Sequence, residues 1–190
     1  MQTKNKTSLS PEEYLDFEIN SDERHHYLNG EIILMAGGTP NHNQIALNLG
    51  GTLNFILKRK PVRVFVADQR LWIPDKRLYT YPDVMVISGE LELQSGRKDT
   101  ILNPLVIAEV LSKSTEAFDR GEKFSAYRTI SGFQEYILID QYTYNVEQFT
   151  KTESGQWLLS EYQGEQAVLS LHSLEFEISL AELYDRVDFQ

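Results

Sequence analysis

Tyr81-Pro82-Asp83-Val84-Met85-Val86-Ile87, then Leu105-Val106-Ile107-Ala108-Glu109-Val110-Leu111, then Asp119-Arg120-Gly121-Glu122-Lys123: this stretch of the chain decides the rest. The first two runs have the length and β-branched content of strands at the centre of a sheet, buried on both faces. The third lies in a helical pattern from Thr115 to Thr129, with Phe118, Phe124 and Tyr127 on its inner side and Gly121 as a mild weakness. Asp83 opens one apolar run, Glu109 interrupts the other, and Lys123 follows on the helix. Two carboxylates and an ammonium are therefore expected to meet at the edge of one sheet.

Working outward, Ser10-Pro11-Glu12-Glu13 is a helix start, with a serine cap, proline at the first position and a capping-box glutamate, and the helix runs to about Asn20. Tyr27 to Leu34 reads as a hairpin turning at Asn29-Gly30. Gly37-Gly38-Thr39-Pro40 breaks the chain before Ile45, Leu49, Leu53 and Ile56 recur at helical spacing. That spacing predicts an amphipathic helix from about Asn41 to Arg59 with a basic end. Strands are expected over Val62 to Ala67 and around Leu71 to Ile73, and a loop or short helix from Gly89 to Asn103. Downstream, Glu135 to Asp140, Tyr144 to Phe149 and Trp157 to Tyr162 form an antiparallel meander, and Leu180 to Val187 a closing helix. The sum is one α/β (α+β) domain over residues 1–190, with 1–9 flexible: a central mixed β-sheet flanked by helices, an N-terminal hairpin and a C-terminal meander.

The chain contains no Cys, which removes disulfides, thiolate zinc sites and thiol nucleophiles. The four His show no paired ligand spacing, and no apolar run reaches the length of a membrane span, so a cytoplasmic protein without membrane contact is expected. The net charge of -10 opposes binding to a phosphate backbone, but it is unevenly spread. Residues 147–190 carry nine acids against Lys151 and Arg186, whereas Lys58, Arg59, Lys60, Arg63, Arg70, Lys76 and Arg77 face only Asp68 and Asp75. The basic segment is either a solvated helix end and hairpin or a contact for nucleic acid.

Phosphodiester hydrolysis needs a water made nucleophilic near neutral pH and a stabilised leaving alkoxide, and carboxylate-held Mg2+ or Mn2+ supplies both. Asp83, Glu109 and the carbonyl of Val110 are the candidate ligands, with Lys123 as a compact positive charge against the phosphate or the attacking water. Each residue also has a plainer reading. Asp83 suits a turn after Pro82, Glu109 a sheet edge, and Lys123 a surface pair with Asp119 one helical turn back. Tyr81, Tyr127 and Trp72 are either base-stacking residues or core.

Pro82-Asp83, Glu109-Val110-Leu111-Ser112 with Ser114-Thr115, Asp119 to Lys123 with Tyr127, and Glu135-Tyr136 followed by Asp140 resemble the Uma family of restriction-endonuclease-like proteins, common in cyanobacteria. Asn29-Gly30-Glu31 and the segment from Pro40 to His42 extend the similarity to roughly residues 10 to 165. The resemblance implies a PD-(D/E)xK nuclease fold, a metal-dependent endonuclease acting on DNA, and assembly as a homodimer; RNA in place of DNA is left open as the alternative substrate. The chain departs from the acid-x-lysine signature at Leu111. Some members of the superfamily carry the lysine on the neighbouring helix, which points to Lys123, with Lys113 as competitor. The resemblance further suggests Glu31 as a fourth acid of the metal cluster, and His42, Lys113 and Arg120 near the substrate. The alternatives are a catalytically weak or inactive nucleic-acid-binding or regulatory module on the same fold, and a protein-interaction module using the acidic tail. Ser112 and Ser114 have no nucleophile-elbow glycines around them, which argues against a triad hydrolase.

Overall fold

The computed structural model describes residues 8–189. Ser10 caps helix α1 (Pro11–Ile19) through a complete capping box, as its sequence predicts. Strands β1 (His25–Leu28) and β2 (Glu31–Leu34) pair as a hairpin, with Asn29 at φ 48 and Gly30 at φ 96 supplying the left-handed turn. Helix α2 (Pro40–Ile56) follows, then β3 (Val62–Val66), β4 (Arg70–Ile73), β5 (Leu78–Thr80), β6 (Val84–Ser88), β7 (Thr100–Ile101) and β8 (Val106–Leu111). A broken helix covers 116–127: α-helical at Glu116–Phe118, π-helical at Asp119–Lys123 and α-helical again at Phe124–Tyr127. The chain closes with β9 (Glu135–Asp140), β10 (Asn145–Lys151), β11 (Trp157–Gln163), β12 (Val168–Leu171), β13 (Phe176–Ser179) and a one-turn helix, Leu180–Leu183.

The central sheet is mixed, in the order β11-β10-β9-β8-β6-β3, with β8 parallel to β9 and antiparallel to β6. A second sheet runs β2-β1-β5-β4-β7, and β12 pairs with β13 alone. Strand alternation sorts the central sheet into two cores. Val84, Val86, Val106, Ala108 and Val110 face Ile45, Leu49 and Leu53 of α2. Met85, Ile87, Ile107 and Leu111 face the other way, toward the second sheet and the broken helix through Leu71, Ile73, Ala126 and Tyr127. Position 109 belongs by alternation to this second face.

Several elements differ from the sequence-based expectation. α2 stops at Ile56, so Lys58, Arg59 and Lys60 follow the helix instead of ending it. The polar stretch before β8 holds the two-residue strand β7, and β5 and the β12–β13 pair are additional. Leu169, Leu171, Phe176 and Ile178 of that pair pack into the α2-side core, a short apolar repeat inside an acidic tail. The closing helix ends at Leu183, short of the expected Val187; Arg186 turns left-handed at φ 61, and the Tyr184 hydroxyl donates to the carbonyls of Asp140 and Asn145. The expected flexibility of residues 1–9 falls mostly on 1–7, outside the described residues. Leu9 itself donates to the Gly30 carbonyl and accepts from the Tyr27 hydroxyl. No helix among the described residues is long and apolar enough to cross a membrane.

Candidate active site

Register brings the two carboxylates together. β6 and β8 pair antiparallel with Val84 opposite Ala108, so the residue before Val84 and the residue after Ala108 are neighbours across the ladder. Asp83 uses this position in place of a backbone bond: its Oδ2 accepts the Val110 N–H at 2.7 Å. His42 Nε2 approaches the same oxygen to 3.1 Å. The ring reaches it from the first turn of α2, where Thr39 caps the helix by accepting the His42 N–H.

Glu109 is 2% exposed, an acid at a position where Ile107 and Leu111 are core. A buried carboxylate needs partners. Its Oε1 lies 3.0 Å from Lys123 Nζ and accepts the Tyr127 hydroxyl at 2.7 Å. Lys123 is also held by Asp119 Oδ1 at 2.7 Å, and both residues are buried. Asp119 and Lys123 bound the π-helical turn, whose wider winding replaces one α-helical turn where the chain passes the carboxylates. Among the described residues, Asp83 Oδ1 and Glu109 Oε2 take no hydrogen bond, so each carboxylate keeps one oxygen free of protein donors.

Burial is the main force on the Glu109 carboxyl and pushes it up to about 8; the Lys123 ammonium pulls it down, and Asp83 and Asp119 add to the rise. Lys123 is raised in spite of burial, because Glu109, Asp119 and Asp83 all favour its charge. Lys123 thus keeps its proton, while Glu109, sharing that one ammonium with Asp119, is the group that gives way. Burial lowers His42, but its bond to Asp83 outweighs this and leaves it above its ordinary value. His26 goes the other way, down to about 3 through burial and the nearby Lys123, and presents a neutral ring. These groups line a cavity of about 300 Å³.

The structure gathers Asp83, Glu109, Val110, Lys123 and His42 around this cavity. Lys113 is elsewhere, with Nζ 5.4 Å from the ring centre of Tyr142, beside an adjoining cavity of about 260 Å³. Glu31 is exposed at the turn end of β2, and that strand contributes Ile33 and Leu34 to the lining instead. Arg120 is engaged by Glu147 at 2.5 and 2.8 Å and by Glu116 at 2.9 Å. The aromatic candidates are structural: Tyr81 donates to the buried Glu18, Trp72 stacks on Tyr79 at 4.0 Å, and Tyr127 holds Glu109. Two members of the basic segment are structural as well, Arg70 donating to the Tyr81 hydroxyl and Arg77 to that of Tyr27. Asp119 was legible only as a surface partner of Lys123; the burial of both was not.

A family model named Uma2 and described as "Putative restriction endonuclease" matches residues 11–182. The chain belongs to the Uma2 family. Two proteins of Synechocystis sp. (strain ATCC 27184 / PCC 6803 / Kazusa) are similar to this Uma2 chain. "Uncharacterized protein sll1609" is 44% identical over 159 residues, 84% of this chain and 90% of that protein. "Uncharacterized protein slr1290" is 34% identical over 181 residues, 95% of this chain and 94% of that protein. The crystal structure of "a putative nuclease belonging to DUF820" from Anabaena variabilis ATCC 29413 superposes with a TM-score of 0.77 at 18% identity, over 93% of this chain and 98% of that one. The Uma2 chain shares that fold.

Proposed function

We propose that the protein is a Mg2+- or Mn2+-dependent endonuclease that hydrolyses phosphodiester bonds in DNA. One observation carries this reading: Asp83 and Glu109 meet across β6 and β8 in one cavity, with the Lys123 ammonium 3.0 Å from Glu109. The donor set fits a hard divalent cation. Each carboxylate has one oxygen without a protein donor, and no group of three or more His, Asp or Glu among the described residues forms an all-protein cage. Magnesium is commonly held in this way, by one or two carboxylates with retained waters and substrate phosphate. Asp83, Glu109 and the Val110 carbonyl would hold the ion, which supplies charge neutralisation and a more acidic water.

The chain's own residues do the remaining work. Lys123, fixed in its charged form by two carboxylates, donates to a phosphate oxygen and does not serve as a base. Tyr127 and Val110 N–H fix the two carboxylates from behind, and His42 orients Asp83 while shielding it from water.

Calorimetric titration of Mn2+ and Mg2+ into the wild type and Glu109→Gln, at low salt and free of chelator, tests the metal site; binding is expected in the first and lost in the second. Asp83→Ala and Glu109→Ala should each lower DNA cleavage by roughly 100-fold or more while remaining folded. Wild-type activity in both variants would sink the assignment.

A further inference from the structure

The reactive groups are recessed. Glu109 is 2% and Lys123 4% exposed, at the floor of the cavity, so a scissile phosphate must enter the protein to meet them. A phosphate on a continuous duplex sits on a stiff cylinder and brings the opposite strand with it. An unpaired strand can bend in alone.

The walls of the recess have matching chemistry. β2, an edge strand, ends in Ile33 and Leu34, 37% and 56% exposed, which line the same cavity as the carboxylates. The adjoining cavity shares Ala36, His42, Ser114 and Thr115 with the first and reaches Tyr142, 49% exposed, with Lys113 over its ring. The hydroxyls of Ser114 and Thr115, which line both cavities, hydrogen-bond that of Ser112. Apolar surface, charged groups, hydroxyls and an aromatic ring with a cation, shared between two adjoining cavities, suit bases that stack while the backbone passes the charges.

Charge points the same way. Among the described residues lining the two cavities, the lysine and arginine side chains are Lys113 and Lys123, in a chain of net charge -10. Affinity for a duplex backbone comes from several phosphates neutralised together by Lys and Arg. The basic run Lys58 to Lys60 lies past the far end of α2, roughly 20 Å from His42 at the rise of an α-helix.

Resting on the nuclease reading above, we propose that the site takes an unpaired DNA strand, stacked on Tyr142 at one end and against Ile33 and Leu34 at the other, and not a continuous duplex. One strand needs one site, so this reading requires no second copy of the chain.

Fluorescence anisotropy in Ca2+, which supports binding without turnover, would compare a labelled single strand, the fully paired duplex and an RNA strand of the same sequence. Cleavage would be followed separately in Mg2+ and Mn2+. The single strand is expected to bind at least about tenfold more tightly than the duplex. Its affinity should have a log–log salt slope of about -1.4, about two phosphates at 0.7 each. Tyr142→Ala should weaken it roughly 5- to 150-fold, the range for loss of one aromatic stacking partner, and Leu34→Ser, also at an exposed position, should weaken it measurably. Phe55→Ser, at the exposed far end of α2, should not. Equal or tighter duplex binding, or wild-type affinity in both cleft variants, overturns the proposal, and RNA bound as tightly as DNA overturns its restriction to DNA. Absence of cleavage on every substrate counts against the nuclease reading, and the binding preference still decides this one.

Discussion

Glu109→Gln should remove most of a loss of stability that the metal-free wild type suffers between about pH 6.5 and 8. The Glu109 carboxyl titrates near 8 in the folded protein against an ordinary value of 4.5, so the folded state binds a proton that the unfolded state has released. A raised carboxyl contributes stability that is complete below 4.5 and is lost as pH rises through 8. His26 acts in the opposite sense, because burial depresses it from 6.5 to about 3; its contribution is absent in acid and grows until pH 6.5. Between 4.5 and 6.5 the two slopes oppose each other and the profile is flat. Above 6.5 only the fall remains, at about 1.4 kcal/mol per pH unit, or about 2 kcal/mol over the window. His42, raised above 6.5, adds to the same fall, so the measured quantity is the difference between the two proteins. Urea unfolding at half-unit pH steps gives it directly. Parallel profiles for wild type and Glu109→Gln would refute the claim that Glu109 carries the proton.

On the proposed metal-dependent reading, the same proton would link to binding of the ion. Affinity for Mn2+ should rise up to about tenfold per pH unit below 8 as the ion displaces it, with proton release visible as a buffer-dependent heat in calorimetry. Lys123→Met should cost about 3–5 kcal/mol by leaving the buried Asp119 carboxylate without its counter-ion, and adding Asp119→Asn should recover part of that loss in a double-mutant cycle followed by urea unfolding. Tyr127→Phe removes the hydroxyl bonded to Glu109 and should cost about 1–2 kcal/mol, with a lower rate of metal-dependent cleavage at unchanged substrate affinity. Neutralising Lys58, Arg59 and Lys60 together should leave single-strand affinity within about twofold of wild type, since α2 carries them away from the cleft.

Most of the central sheet was legible because each of its strands announces itself locally. Val84 to Ile87 and Val106 to Leu111 are continuous apolar runs, and an acid inside one of them is visible as an anomaly without any structure. Asn29-Gly30 fixes a turn by its backbone preference alone. What was hidden is whatever depends on partners distant in sequence. β5 and β7 are too short to carry a pattern and exist because β4 lies between them. Tyr81 looks like a base-stacking residue until Glu18, 63 positions away, is seen to accept its hydroxyl. The same holds for His42, whose ring is an ordinary cap-region side chain until the fold swings Asp83 within 3.1 Å of it.

The lysine shows why a signature read along one strand misleads. Leu111 lies two residues after Glu109, so the pleat puts it on the same face, and there it is core, packed with Leu138 and Tyr136. A lysine at 111 would have to lay its stem through that core to bring its charge to Glu109. From the π-helical turn the ammonium arrives across the face of the sheet, and the turn that delivers it also delivers Asp119, four residues earlier, as a second counter-ion. The two solutions are not equivalent. A strand lysine facing one acid can give up its proton when that acid is protonated, whereas Lys123 keeps Asp119 when Glu109 is neutral. Moving the lysine onto the helix therefore fixes its charge and leaves the pH response of the cluster to Glu109 and to the His42 ring on Asp83.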